Sequence, residues 1–110
     1  MNQVLVVFTN LPDLASAERV ARHLVEARVA ACVNILAPCR SLYRWEGKIE
    51  DANEVPVLVK TTAARYAALE AEIRSVHPYA VPEIIAMPVT AGLPDYLHWV
   101  DSETRPPIQA

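Results

Sequence analysis

Glycine is scarce in this chain: there are two among 110 residues. Neither sits in a phosphate-cradling loop or a dinucleotide fingerprint, so both nucleotide-binding signatures are excluded. Cysteine is equally sparse, at Cys32 and Cys39. With no CxxC and no paired Cys/His spacing, a structural zinc site is excluded. On one extended strand the two thiols would stand about 23 Å apart, too far for a disulfide, and they fit a reducing compartment. No basic stripe exists either. The ten Lys and Arg are interleaved with acids and the net charge is -3, which argues against nucleic acid as a partner. The apolar run Val4–Phe8 falls far short of the roughly 20 residues that cross a bilayer. It also lacks the flanks of a signal peptide, so the expectation is a soluble, cytoplasmic protein with no membrane partner.

What remains is one domain's worth of chain, 53% hydrophobic and punctuated by 9 prolines. Val4–Thr9 reads as a strand ended by Asn10, Pro12 and Asp13. Asp13–Arg28 reads as an amphipathic helix with Ala17, Val20, Ala21 and Leu24 on one face. Asp13 or Ser16 is its expected N-cap, with Glu18 expected in the first turn. Val29–Trp45 and Lys48–Thr61 are strand-rich runs on either side of Glu46-Gly47, a hairpin signal. Such arms would span about 45–55 Å, against a diameter of about 35 Å for a compact domain of this size. The hairpin therefore either bends at Pro38 or projects beyond its own domain. Thr62–Val76 is a second helix, with Tyr66, Leu69, Ile73 and Val76 on one face. Glu83–Val89 is a further strand, and Leu93-Pro94-Asp95 opens a short helix to about Glu103.

The order predicts an α+β fold: a ferredoxin-like βαββαβ sandwich with an extra C-terminal helix and a long hairpin between its second and third strands. It places a single domain at 1–104 and a tail at 105–110. Both long helices should cover one face of the sheet. The strands are nonetheless apolar in both parities, at Val4–Phe8, Val29–Val33, Val55–Val59 and Ile84–Met87, so the helix-free face calls for other copies of the chain. Pro56 lacks a ladder donor and is expected in the projecting, singly paired half of the hairpin.

Several residues suggest chemistry. Lys60 lies in an apolar run; it either snorkels to the sheet edge or pairs with Glu83 in a cleft that would bind an anion. Glu54 shares the strand parity of Lys60 and would border the same cleft or form a salt bridge. His77 ends a helix, where it either suits the dipole, lines a pocket, or ligates a metal. Tyr43, Trp45, Tyr79 and Trp99 are polar-tipped aromatics of the kind that favour interfaces, with Trp45, beside the hairpin turn, expected to dock on a neighbour. No catalytic triad pattern is present, so no catalytic residue is assigned.

Particular segments carry a resemblance. Ala30–Ile35, Ser41–Lys48 (SLYRWEGK), Leu58–Thr62 (LVKTT), His77-Pro78-Tyr79 before Pro82-Glu83, and Tyr96–Trp99 (YLHW) resemble the CutA family of divalent-cation tolerance proteins, relatives of the PII signalling proteins. The resemblance spans essentially the whole chain. It implies a ferredoxin-like homotrimer with hairpin arms wrapping neighbours, no enzymatic activity, and copper(II) or another divalent cation as the candidate cofactor. Tyr43, Trp45 and Trp99 would lie at the trimer interface, and inter-subunit clefts would be lined by Lys60, His77, Tyr79, Glu83 and Glu54. At the family's proposed metal-ligand positions this chain has Phe8 and Val76-His77, which leaves His77 as the metal candidate. The alternatives are a small enzyme or PII-like module binding an anionic ligand in those clefts, and an interaction scaffold.

Overall fold

The computed structural model describes residues 2–106. Strand β1 (Val4–Leu11) leads into helix α1 (Leu14–Glu26). Asp13 is the N-cap, its carboxylate accepting from the Ser16 N–H at 2.7 Å. Glu18 falls beyond the first turn, which carries no acid, because the helix starts at Leu14 with Asp13, not Ser16, as its N-cap. At the other end Arg28 takes a left-handed φ of 60°. Its N–H reaches the Val25 carbonyl and the Val29 N–H reaches that of Leu24, the paired bonds that usually recruit glycine.

The chain then forms β2 (Cys32–Ile35), β3 (Cys39–Trp45) and β4 (Lys48–Thr62). Glu46 and Gly47 both have positive φ, 49° and 80°, the two-residue turn whose twist matches that of the strands. A short 3₁₀ turn (Ala63–Arg65) precedes α2 (Tyr66–Val76), followed by β5 (Ile85–Pro88) and α3 (Pro94–Glu103). Thr62 precedes the turn but makes no cap bond, and its hydroxyl is buried without a partner. Val76 is 39% exposed rather than part of the apolar face. Glu83 lies outside β5, which is shorter than the predicted Glu83–Val89. The tail at 105–110 lies for the most part outside the described residues.

The sheet is antiparallel throughout in the order β2-β4-β1-β5, with β3 extending the ladder along β4. Both α1 and α2 cover one face. Val7, Leu11, Val55, Val57 and Val59 meet Ala17, Val20, Leu24, Leu69 and Ile73 there in the core. Residues of the other parity, Val6, Phe8, Leu58, Ile85 and Met87, point away from it. The second face is not bare, however. The helix α3 contacts β1 and β4 and buries Val4 and Thr62 together with Val100 and Thr104. Tyr96 of α3 stands beside Cys32. The rest of that face stays open, with Ile85 and Met87 about half exposed.

The hairpin departs from expectation at its prolines. Pro56 is central: it pairs with Asn10 of β1 on one side, and its carbonyl accepts from the Leu36 N–H on the other. Its missing N–H therefore faces β2, and pairing breaks there. The β2–β4 partners run Cys32↔Lys60 to Ile35↔Val57, while β3 resumes at Cys39↔Glu54. That is a shift of one residue, absorbed at Ala37-Pro38 as a bulge. Past it the hairpin projects, giving extents of 49 × 33 × 23 Å.

Candidate functional site

Bulge and turn together decide which side chains share a face with Glu54. Because opposite residues on paired strands point the same way, Cys39, Ser41, Tyr43 and Trp45 lie on the Glu54 side of the hairpin. Without the shift, Leu42 and Arg44 would stand there. The loop after α2 brings Tyr79 and Glu83 to this side. A cleft of about 490 Å³ results, lined by Tyr43, Trp45, Glu54, Tyr79, Ala80, Val81 and Glu83.

The cleft's polar groups are tightly held. The Tyr79 hydroxyl donates to Glu54 Oε2 at 2.9 Å, and Glu54 is 7% exposed. Burial pushes the Tyr79 phenol above its ordinary range, with the Glu54 carboxylate adding to the effect and Tyr43 and Asp13 contributing less. Asn10 Nδ2 donates to Glu83 Oε1 at 3.1 Å, while Asn10 Oδ1 is buried without a partner. Asn10 stands opposite Pro56, so it lies diagonally across from Glu54 on one face, a separation of about 7–8 Å between α-carbons.

His77 sits behind this wall, 8% exposed. Its Nδ1 accepts from the Tyr79 N–H at 3.1 Å, which fixes the proton on Nε2, and Nε2 donates to the Asn10 carbonyl at 2.7 Å. The ring lies 4.9 Å from that of Tyr79. Burial draws the His77 pKa below its ordinary value, against the opposing pull of the Asn10 carbonyl and the Glu54 carboxylate. Both nitrogens are occupied, so His77 positions the Tyr79 loop and has no lone pair to offer a metal.

Lys60 does not join this group within the chain. It lies six residues beyond Glu54, about 20 Å along the strand, and donates to Asn34, which stands diagonally from it on the neighbouring strand, opposite Leu58. Glu83 is paired with Asn10 instead. Trp99 lies on α3, half exposed and stacked against Tyr96 at 5.6 Å. Both thiols are free. Asn10 was the residue missed in the sequence. It read only as a strand terminator, although an Asn near a strand end on the Glu54 face was a signal available.

Copper prefers converging thiolate or imidazole donors. The described residues hold no group of three or more His, Cys, Asp or Glu around one point, and the nearest imidazole is committed. The cleft of a single chain does not fit a copper centre; its donors are carboxylate oxygens.

Known proteins resemble this chain over nearly its whole length. The family model for the CutA1 divalent ion tolerance protein matches residues 5–103. Protein CutA of Mus musculus is 46% identical over 102 residues, covering 93% of this chain and 58% of the mouse protein. The chain thus spans little more than half of that relative. The crystal structure of CutA from Xylella fastidiosa superposes with a TM-score of 0.91 at 45% identity, covering 94% of this chain and 99% of that one. The periplasmic divalent cation tolerance protein CutA from Archaeoglobus fulgidus superposes with a TM-score of 0.89 at 39% identity, over 93% and 99% of the two chains.

Proposed function

The chain belongs to the CutA1 divalent ion tolerance family, and from that premise we propose that it serves divalent-cation tolerance as a homotrimeric, non-catalytic binding module of the cytoplasm. Residues 1–104 form its one domain, and the Glu54–Tyr79–Glu83 cleft is its ligand site. One observation carries the choice of site: two carboxylates share one cleft, and no Lys or Arg is among the described residues that line it. Such a cleft attracts cations and repels anions. The alternative, an anion-binding enzyme or PII-like module with its ligand in inter-subunit clefts, would need Lys60, which within one chain lies away from this cleft and is bonded to Asn34. Among metals, the oxygen donors suit a hard divalent ion better than copper(II).

The trimer reading is supported by the open part of the second face, where Val6, Phe8, Leu58, Ile85 and Met87 form an apolar patch on a small domain. Tyr43, Trp45 and Trp99, each close to half exposed, would border the neighbouring copy.

Light scattering tests the assembly, with a particle about three times the chain mass of 12.2 kDa expected; a stable single-chain mass would reject it. Calorimetric titration with manganese(II), copper(II) and phosphate tests the site. Cation binding that is weakened by Glu54→Gln supports the reading, and saturable phosphate binding lost in Lys60→Ala would favour the alternative.

A further inference from the structure

We propose that the occupant of the Glu54–Glu83 cleft is an organic cation, a ligand with an ammonium or guanidinium head and an aliphatic body. This rests on the reading that the cleft is the ligand site, and it names the chemistry of the ligand. Besides its two carboxylates the cleft presents three aromatic side chains, Tyr43, Trp45 and Tyr79, together with the apolar Ala80 and Val81. The faces of Trp and Tyr attract cations through the ring quadrupole, most strongly where water is excluded.

A bare divalent metal ion makes poor use of such walls. Hard ions want six or more oxygens or keep much of their water. Here one carboxylate already accepts from the Tyr79 hydroxyl and the other from Asn10. A carboxylate has about four lone-pair sites, so each can still take an N–H donor from a forked guanidinium or an ammonium. The aliphatic body would lie on Val81, which is 69% exposed in the chain alone. At about 490 Å³ the cleft is within the size range of small-molecule sites. The one-residue shift at Ala37-Pro38 turns two of its aromatics to this face, which makes the acid–aromatic combination a product of the register.

Calorimetry on the assembled protein, with probes that share one carbon body, tests the proposal. Butylguanidinium and butylammonium are compared with butanol and butyrate, and manganese(II) chloride alone is titrated in parallel. The expected result is saturable binding of the two cations, at least about tenfold tighter than butanol and butyrate. Glu83→Gln, on an exposed residue, and Glu54→Gln, which keeps an acceptor for Tyr79, should each weaken it by about tenfold. Trp45→Ala should weaken it severalfold. Cations that bind no better than butanol, or that ignore both Gln variants, would overturn the proposal. Saturation by manganese(II) with no organic cation bound would overturn it while leaving the cation-cleft reading in place. Failure of every cation would overturn both.

Discussion

Tyr79 and Glu54 are joined by a 2.9 Å hydrogen bond that ties the loop after α2 to the long strand β4. The phenol donates to a carboxylate on a residue that is 7% exposed, so the bond is charge-assisted and partly shielded. Tyr79→Phe removes it and leaves the carboxylate short of a partner. We expect a stability loss of about 1 kcal/mol in guanidinium unfolding, at the low end for bonds to charged groups because Tyr79 is itself 36% exposed. An unchanged midpoint would mean that solvent replaces the hydroxyl without penalty.

Acidification should strike His77 first. Its pKa is drawn below the ordinary 6.5, so the unfolded chain takes up its proton before the folded chain does. Stability from this residue is complete above about pH 6.5 and drains away as pH falls through the folded value. Protonation also places an N–H on Nδ1 opposite the Tyr79 N–H, which opposes the bond that holds the loop. Asp13, Asp51 and Asp101, held below the ordinary 3.8, act only at lower pH. Between pH 6.5 and 4.5 the melting temperature should therefore fall in the natural protein, and fall measurably less in His77→Gln. Parallel curves would show that His77 does not set this window.

Much of the architecture was legible because period and punctuation agree. Ala17, Val20, Ala21 and Leu24 are buried as their helical spacing predicts, and Glu46-Gly47 makes the turn. Pro56 was misplaced because a proline without a ladder donor can sit centrally if its N–H side faces a break in pairing, which Ala37-Pro38 supplies. The seat of α3 on the second face was invisible, since a short amphipathic helix does not announce which surface it covers. Glu54, Tyr79, His77 and Glu83 were named from sequence, yet their convergence depends on β4 parity and on Asn10. Within one chain Lys60 does not meet Glu83, because Asn34, directly across the ladder from Leu58, accepts from the lysine.

Leu58 is central to the open apolar patch, paired with Phe8 on one side and Asn34 on the other. Leu58→Asp places a charge where the proposed trimer would exclude water, a cost of several kcal/mol for an unpaired buried carboxylate. It leaves the α1–α2 core untouched because it points the other way. The expected result is a single-chain mass in light scattering with the far-UV circular dichroism retained. A variant that keeps the parent's mass would place the contact surface elsewhere.

Glu46 occupies a left-handed conformation, and its exposed side chain meets no hydrogen-bond or salt-bridge partner among the described residues. That backbone region costs an ordinary L-residue about 1–2 kcal/mol, and Asn tolerates it better. Glu46→Asn should stabilise the hairpin by about 0.5–1 kcal/mol, read as a higher unfolding midpoint at unchanged m-value. A lower midpoint would reveal a contact made by Glu46 in the assembly.

Two registers meet in the hairpin, each fixed locally. The core fixes one, since Val33 and Val59 must face the α1–α2 side together. The two-residue turn fixes the other by pairing Trp45 with Lys48, and the bulge at Ala37-Pro38 absorbs the difference. Gly47, with φ of 80°, is the residue on which the second register depends, for a β-branched side chain is strained there whatever the space around it. Gly47→Val should therefore cost about 1–2 kcal/mol locally and release the arms without touching the core. Amide exchange should accelerate across 39–45 and 48–54 while 55–62 stays protected, and binding in the cleft should weaken because Tyr43 and Trp45 no longer hold one face. Uniform acceleration along the whole of β4 would mean that a single register, set by the core, runs through the hairpin.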